Sequence, residues 1–412
     1  MKRILGALSI AAVMAASTVV QAQDIVLQAL FMKQTAYSDK DVRDMTNDFE
    51  AAHPGIKVNL EFVPYEALHN KIVASISAGS GGYDVALVDT IWPAEFATNQ
   101  FVDDLTSLVP PRDPIFGGAW KTGEYDGKIW AMPWILDTKY LFYNKDILAK
   151  AGFDHPPATL DELTQQAKVI KDKGLADYPI VWSWGQAEAL VCDYALLVQA
   201  FGGQFYDESG EPAFTKGGAL KALQFMVGSI KDGISNPRST EFLEEEVRNT
   251  FSSGRAAFAL NWTYMWPLAN DPKQSEVAGK IGIVPAPGTP EGSPQAAING
   301  SMGLSIMRNS DKKDAAWQYI KYLTSQETQD KYASMSLPIW KSSYADPKVV
   351  KGQEELIKAA ETSVAIMYNR PTKVQYQEIS TLLQQQIQSA LLGLQSPEQA
   401  MKDLASQTSG MK

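Results

Sequence analysis

The chain of 412 residues carries few of the side chains that do covalent or metal chemistry, with three histidines and one cysteine. His53 stands in a helix-ending turn, His69 in a helical pattern and His155 before two prolines, so none has the spacing of a catalytic triad or a metal site. Cys192, inside an apolar helical run, reads as buried and inert. Gly79, Gly81 and Gly82 follow a helix but lack the Lys-Ser/Thr of a phosphate loop, which argues against nucleotide binding. Aromatic side chains, by contrast, are plentiful: 10 Trp, 16 Tyr and 15 Phe. Trp262 and Tyr264 flank Thr263, and a two-residue spacing in an extended segment puts both on one face. Trp182 and Trp184 repeat that spacing, with packing in a core as the plainer alternative. Flat aromatic faces without nucleophiles or metal ligands suit a binder more than a catalyst, and no cofactor is expected.

Length and composition narrow this further. A chain this long exceeds one ordinary core, so two domains are expected. Hydrophobic residues at 45% and charged residues at 20% are globular usage. A formal charge of -10 makes a nucleic-acid partner improbable. Lys2 and Arg3, the apolar run from Ile4 to Ala16, and Val20-Gln21-Ala22 together read as a secretory signal over 1–22, cleaved after Ala22. The expected location is the periplasm.

The elements that must position the aromatics alternate between strand and helix. Ile25 to Leu30 is a strand-like run; Ser38-Asp39-Lys40-Asp41 starts a helix as a capping box, with Val42, Met45 and Phe49 on one face. Ile56 to Phe62 alternates as a strand, Leu68 to Ile76 is helical, and Asp84 to Val88 is a buried strand ending in Asp89. This order predicts a parallel sheet flanked by helices, with ligands outside the carboxyl ends of its strands, where Asp89 and Trp92 fall. A hairpin is expected at Tyr125-Asp126-Gly127-Lys128. A second α/β region follows, with a capping box at Thr159, a strand over Ile180 to Trp184 and a helix from Glu188 to Phe201.

Several ordered segments resemble the solute-binding proteins of carbohydrate ABC transporters, of the maltose/trehalose-binding type. They are Asp48-Phe49-Glu50 with Pro54-Gly55-Ile56-Lys57-Val58, Tyr125-Asp126-Gly127-Lys128-Ile129-Trp130, Phe251-Ser252-Ser253-Gly254-Arg255, and Asn299-Gly300-Ser301-Met302-Gly303 leading into Ala315-Ala316-Trp317. The resemblance implies an α/β, two-lobed periplasmic-binding-protein fold of type II, cluster D. Each lobe would be a mostly parallel sheet flanked by helices, and strands would cross between the lobes near 134–139, near 260–266 and after 323. One lobe would hold residues 23–135 and 265–325, the other 136–264 and 326–412. It further implies a monomer that closes on a saccharide and docks on membrane permease subunits, without chemistry.

A pyranose presents a C–H face and an equator of hydroxyls, so its site needs aromatic planes and planar polar groups. On the family pattern Trp262 and Tyr264 stack on the sugar, Asp89 and Asp137 accept hydroxyl protons, and Arg370 reaches the cleft. Gly300 and Ser301 form a loop where the backbone approaches the ligand. Trp182 and Trp184 line the second lobe, while Gln34, Tyr37, Tyr65, Glu66 and Trp92 belong to contact loops of the first. For Asp89 a helix N-cap is an equal reading. The ligand suggested is an α-glucoside disaccharide such as trehalose, maltose or sucrose. A monosaccharide, a polyol, a glycerol glycoside or an anionic sugar meeting Arg370 is the alternative, and a secreted glycoside hydrolase using Asp89 and Asp137 is the enzyme rival.

Overall fold

The computed structural model describes residues 24–33, 36–79 and 82–412. The signal at 1–22 and the candidate contact Gln34 lie outside the described residues. Among the described residues twelve strands follow one another: β1 (Ile25–Met32), β2 (Ile56–Val63), β3 (Val85–Asp89), β4 (Glu124–Tyr125), β5 (Lys128–Ile129), β6 (Met132–Ile135), β7 (Lys139–Asn144), β8 (Ile180–Val181), β9 (Phe258–Trp262), β10 (Ile281–Pro287), β11 (Gln295–Ala296) and β12 (Met302–Ile306). Ten of them form two five-stranded sheets, ordered β2-β1-β3-β12-β6 and β11-β10-β7-β9-β8.

Both sheets are mixed, not mostly parallel as expected: two of the four neighbouring pairs in the first and three of the four in the second are antiparallel. In the first, β2, β1, β3 and β6 run alike and β12 runs opposite. In the second, β8, β9 and β10 run alike, with β7 and β11 reversed. β4 and β5 make the expected hairpin, with positive φ at Asp126 and Gly127 letting the two-residue turn match the strand twist.

Helices start where the sequence supplies caps. In the helix Asp39–Ala52 the Asp41 N–H donates to Ser38 Oγ and the Ser38 N–H to Asp41 Oδ2, satisfying two end donors. Thr159 caps Leu160–Asp172 through Glu162 N–H, but the expected capping box is incomplete, since Glu162 Oε2 accepts from Ala158 N–H and not from Thr159. Buried Val42, Met45 and Phe49 then turn one face of the first helix onto the sheet. The second core joins the second sheet to Glu188–Ala200, Gly217–Lys231, Tyr376–Leu391 and Pro397–Thr408 through buried Leu196, Leu223, Phe258 and Leu383.

The chain passes between sheets at places the sequence locates only in part. Residues 136–138 join β6 of the first sheet to β7 of the second. The return passage is at 297–301, between β11 and β12, and not at 260–266, because β9 and the later β10 both pair with β7. Residues 281–296, expected in the first lobe, therefore belong to the second sheet: five residues of β10 pair with β7, a register that a sequence run of apolar residues does not reveal. In the third passage Leu337 and Trp340 bridge to Leu136 and Ile115, whereas the helix Glu354–Ala365 packs on β10. The helix Gln326–Lys331, placed in the second lobe by the sequence, packs against Lys313–Thr324, the helix that covers the first sheet.

Candidate ligand-binding cleft

A cavity of about 410 Å³ opens between the two sheets. All four like-running strands of the first sheet end at it: β1 at Met32 and Lys33, β2 at Pro64 and Tyr65, β3 at Asp89, and β6 at Ile135. Parallel strands deliver their carboxyl ends to one edge, which is why such sheets bind ligands there. From the second lobe come Glu188, Glu244, Trp262 and Tyr264.

Asp137 ties the passages together. Its Oδ1 accepts from Thr138 N–H (2.8 Å), Thr263 N–H (3.2 Å) and Thr263 Oγ1 (2.5 Å). Its own N–H donates to Ser301 Oγ (3.2 Å), and its carbonyl accepts from Gly300 N–H (3.0 Å). The first and second crossings and the end of β9 are thus laced by one residue. Among the described residues nothing donates to Asp137 Oδ2, and the side chain lines the cavity, so this oxygen is available to a ligand hydroxyl. Burial pushes the carboxyl up to about 7, against the opposing pull of its Thr263 and Thr138 hydrogen bonds and of Lys139.

Trp262 is held on three sides. A Cβ placed on Gly300 would stand 2.2 Å from the indole Cζ3, so the ring's benzo edge lies directly on the crossing backbone. The indole N–H donates to Glu244 Oε1 (3.1 Å), and Lys139 Nζ sits 5.0 Å from the ring centroid. Lys139 is wholly buried and pairs with Asp193, which burial raises to about 6, and donates to Ser183 Oγ (2.7 Å). An ammonium over the ring and the Gly300 backbone against its six-membered part fix the indole where Trp262 lines the cavity. Tyr264 lines the cavity too, but β9 ends at Trp262, so the pair is placed by a turn into Met265–Asn270 and not by strand alternation.

At the other wall, Arg370 is 1% exposed at its side chain and sits between two carboxylates. Nη2 donates to Asp89 Oδ1 (3.1 Å) and Nη1 to Glu188 Oε1 (2.6 Å). Asp89 Oδ2 accepts from Tyr65 OH (3.0 Å), and Asp89 Oδ1 also takes Ile91 N–H (3.2 Å). Asp89 does not cap the following helix, whose N-cap is Trp92. With both oxygens engaged by an arginine, a tyrosine and a backbone N–H, it is also poorly suited to supply a proton to a glycosidic oxygen.

Of the fourteen residues named from the sequence, Tyr65, Glu66, Asp89, Asp137, Trp262, Tyr264, Gly300 and Arg370 line the cavity. Five others described do not. Trp182 and Trp184 stack on each other at 5.1 Å inside the second core, because β8 ends at Val181 and leaves no strand to aim them at the cleft. Tyr37 packs on Trp134 at 5.0 Å in the first core, where an aromatic gains more from burial than from water. Trp92 is buried behind Tyr65, with ring centroids 6.0 Å apart, and supports that ring. Ser301 is buried as the acceptor for the Asp137 N–H.

Sequence reasoning missed Glu188 and Glu244. Each opens the first turn of a helix, where acids are favoured by the helix dipole in any protein, so nothing in the local sequence separates a cleft role from an end effect.

Comparison with known proteins gives a consistent picture. The family described as bacterial extracellular solute-binding protein matches residues 27–330. A probable ABC transporter-binding protein from Deinococcus radiodurans is 30% identical over 386 residues, covering 89% of each chain. The maltose-bound MalE3 structure from T. maritima is 32% identical with a TM-score of 0.85, covering 93% of this chain and 98% of that one. A Thermotoga lettingae ABC transporter solute-binding protein bound with α-D-tagatose is 26% identical with a TM-score of 0.83 and the same coverage. These relatives are binding proteins of ABC transporters, not enzymes.

Proposed function

The chain belongs to the bacterial extracellular solute-binding proteins, and from that premise we propose that it captures an α-glucoside disaccharide such as maltose, trehalose or sucrose in the periplasm. The loaded, closed protein then delivers its ligand to the permease of an ABC importer. Export would follow cleavage of the leader after Ala22.

The observation that carries this reading is the indole of Trp262, backed by Lys139 and Gly300, with the uncommitted Oδ2 of Asp137 on the same cavity. A clamped aromatic plane matches the C–H face of a pyranose, and a carboxylate oxygen beside it matches an equatorial hydroxyl. A cavity of about 410 Å³ lies in the range of small-molecule sites, roughly 300–1,000 Å³. The maltose-bound relative supports the disaccharide. The tagatose-bound relative supports a monosaccharide as the second reading. A disaccharide of about 23 heavy atoms at roughly −0.3 kcal/mol per atom would bind with about −7 kcal/mol, on the micromolar side.

The test is a thermal-shift screen of the mature protein against neutral disaccharides, monosaccharides and polyols, with calorimetry on each hit. A saturable shift with one α-glucoside and unchanged sugar on long incubation is expected. No response to any neutral saccharide, or hydrolysis of a glycoside, would overturn the proposal.

A further inference from the structure

An arginine in a sugar cleft invites an anion, because its planar fork matches a carboxylate or phosphate with two parallel hydrogen bonds. Arg370 cannot offer that fork here. Nη1 is spent on Glu188 and Nη2 on Asp89 and, at 3.4 Å, the Asn299 carbonyl. Both edges of the guanidinium that could form a fork include Nη2, which is already engaged, and Nε, without a partner among the described residues, makes no bidentate contact by itself.

Glu188 is not free to swing aside. Tyr376 OH donates to its Oε1 (2.6 Å) and Ser380 Oγ to its Oε2, so the carboxylate is anchored to the helix Tyr376–Leu391 beneath it. The remaining walls reinforce the sign: seven carboxylates line the cavity against two cations, Lys33 and Arg370. Carboxylates accept protons from neutral hydroxyls but repel another anion across a poorly hydrated space.

We propose that Glu188 is a specificity-determining residue: by occupying Nη1 of Arg370 it denies the cleft to saccharides bearing a carboxylate or phosphate and reserves it for neutral ones. The inference rests on the saccharide reading of this cleft. Its own content is narrower, namely that the anchored carboxylate, and not the absence of a cation, sets the charge preference.

The experiment compares wild type with Glu188→Gln, which keeps size and polarity but not charge. Calorimetry uses maltose as the neutral probe and glucose 1-phosphate and glucuronate as the anionic ones. Wild type is expected to bind the anionic probes at least tenfold more weakly than Glu188→Gln does, and the gain should fade with added salt. Glu188→Asp, which restores the charge, should lose the gain; a merely structural role would lower the melting temperature without moving the anion affinity. If Glu188→Gln does not accumulate as folded protein, Asp89→Asn frees the other arm of the fork and should show the same gain. Unchanged anion affinity in the folded variant overturns the inference, as does a wild type that prefers glucose 1-phosphate to neutral sugars. Failure of wild type to bind any neutral saccharide refutes the saccharide reading instead, and the comparison of anionic probes still decides the role of Glu188.

Discussion

Replacing Trp262 with alanine is the most direct probe of how the cleft holds its ligand. The indole is fixed by Glu244, Lys139 and Gly300 before any ligand arrives, so little ordering cost is added on binding. If a sugar ring covers about 80 Å² of the indole, area burial at about 25 cal/mol per Å² is worth about 2 kcal/mol. At 1.4 kcal/mol per tenfold, Trp262→Ala should weaken binding roughly thirtyfold. Truncation also uncovers one side of Lys139, but that ammonium keeps Asp193 and Ser183. Because Trp262 is only partly buried, the unliganded protein should lose about 1 kcal/mol, or about 1 °C of melting temperature in a chain of this length. Titration calorimetry with the best saccharide from the screen, paired with thermal unfolding of the unliganded forms, reads both numbers. Trp262→Phe retains a flat face and should recover most of the affinity. An affinity unaltered in Trp262→Ala would refute stacking, and a collapsed melting temperature would show that the ring is a core residue after all.

Two further outcomes follow from the same geometry. Gly300→Ala would drive a methyl into the indole, since the added carbon falls 2.2 Å from Cζ3; overpacking of this kind costs about 1–3 kcal/mol, and calorimetry should show affinity reduced about tenfold with the ring displaced. Asp137 keeps its proton up to about pH 7 because it is buried, whereas a ligand hydroxyl donates better to the ionised form. Affinity for a neutral sugar should therefore rise between pH 6 and pH 8, with proton release on binding near pH 7 seen as a buffer-dependent heat. The stability effect has the opposite sign. The folded carboxyl titrates above its ordinary value of 3.8, so its contribution is greatest in acid, declines as pH rises toward 7 and levels off above. Asp137→Asn should flatten both profiles, and a binding constant independent of pH from 6 to 8 would exclude Oδ2 as an acceptor.

Local signals were read from the sequence because their causes are local. The capping box at Ser38, the N-cap at Thr159, the Asp126-Gly127 hairpin and the buried strand ending in Asp89 each depend on residues within a few positions. The scarcity of His and Cys and the aromatic pair Trp262 and Tyr264 likewise point to a binder without reference to the fold. The Trp182/Trp184 pair shows the limit: the same spacing led to a core stack, because alternation assigns faces within a strand but does not say whether the strand continues.

What the sequence determined, then, was the set of strand ends that could meet at a cleft, through short-range patterns of polarity and turn chemistry. The tertiary structure decided the rest. It moved the return crossing to 297–301, since strand pairing joins residues far apart in the chain. It also set Glu188 from one helix end and Asp89 from the other sheet on the two arms of Arg370. Charge compensation across 182 and 281 residues of sequence separation is a Coulombic fact of distance in space, and no local pattern records it.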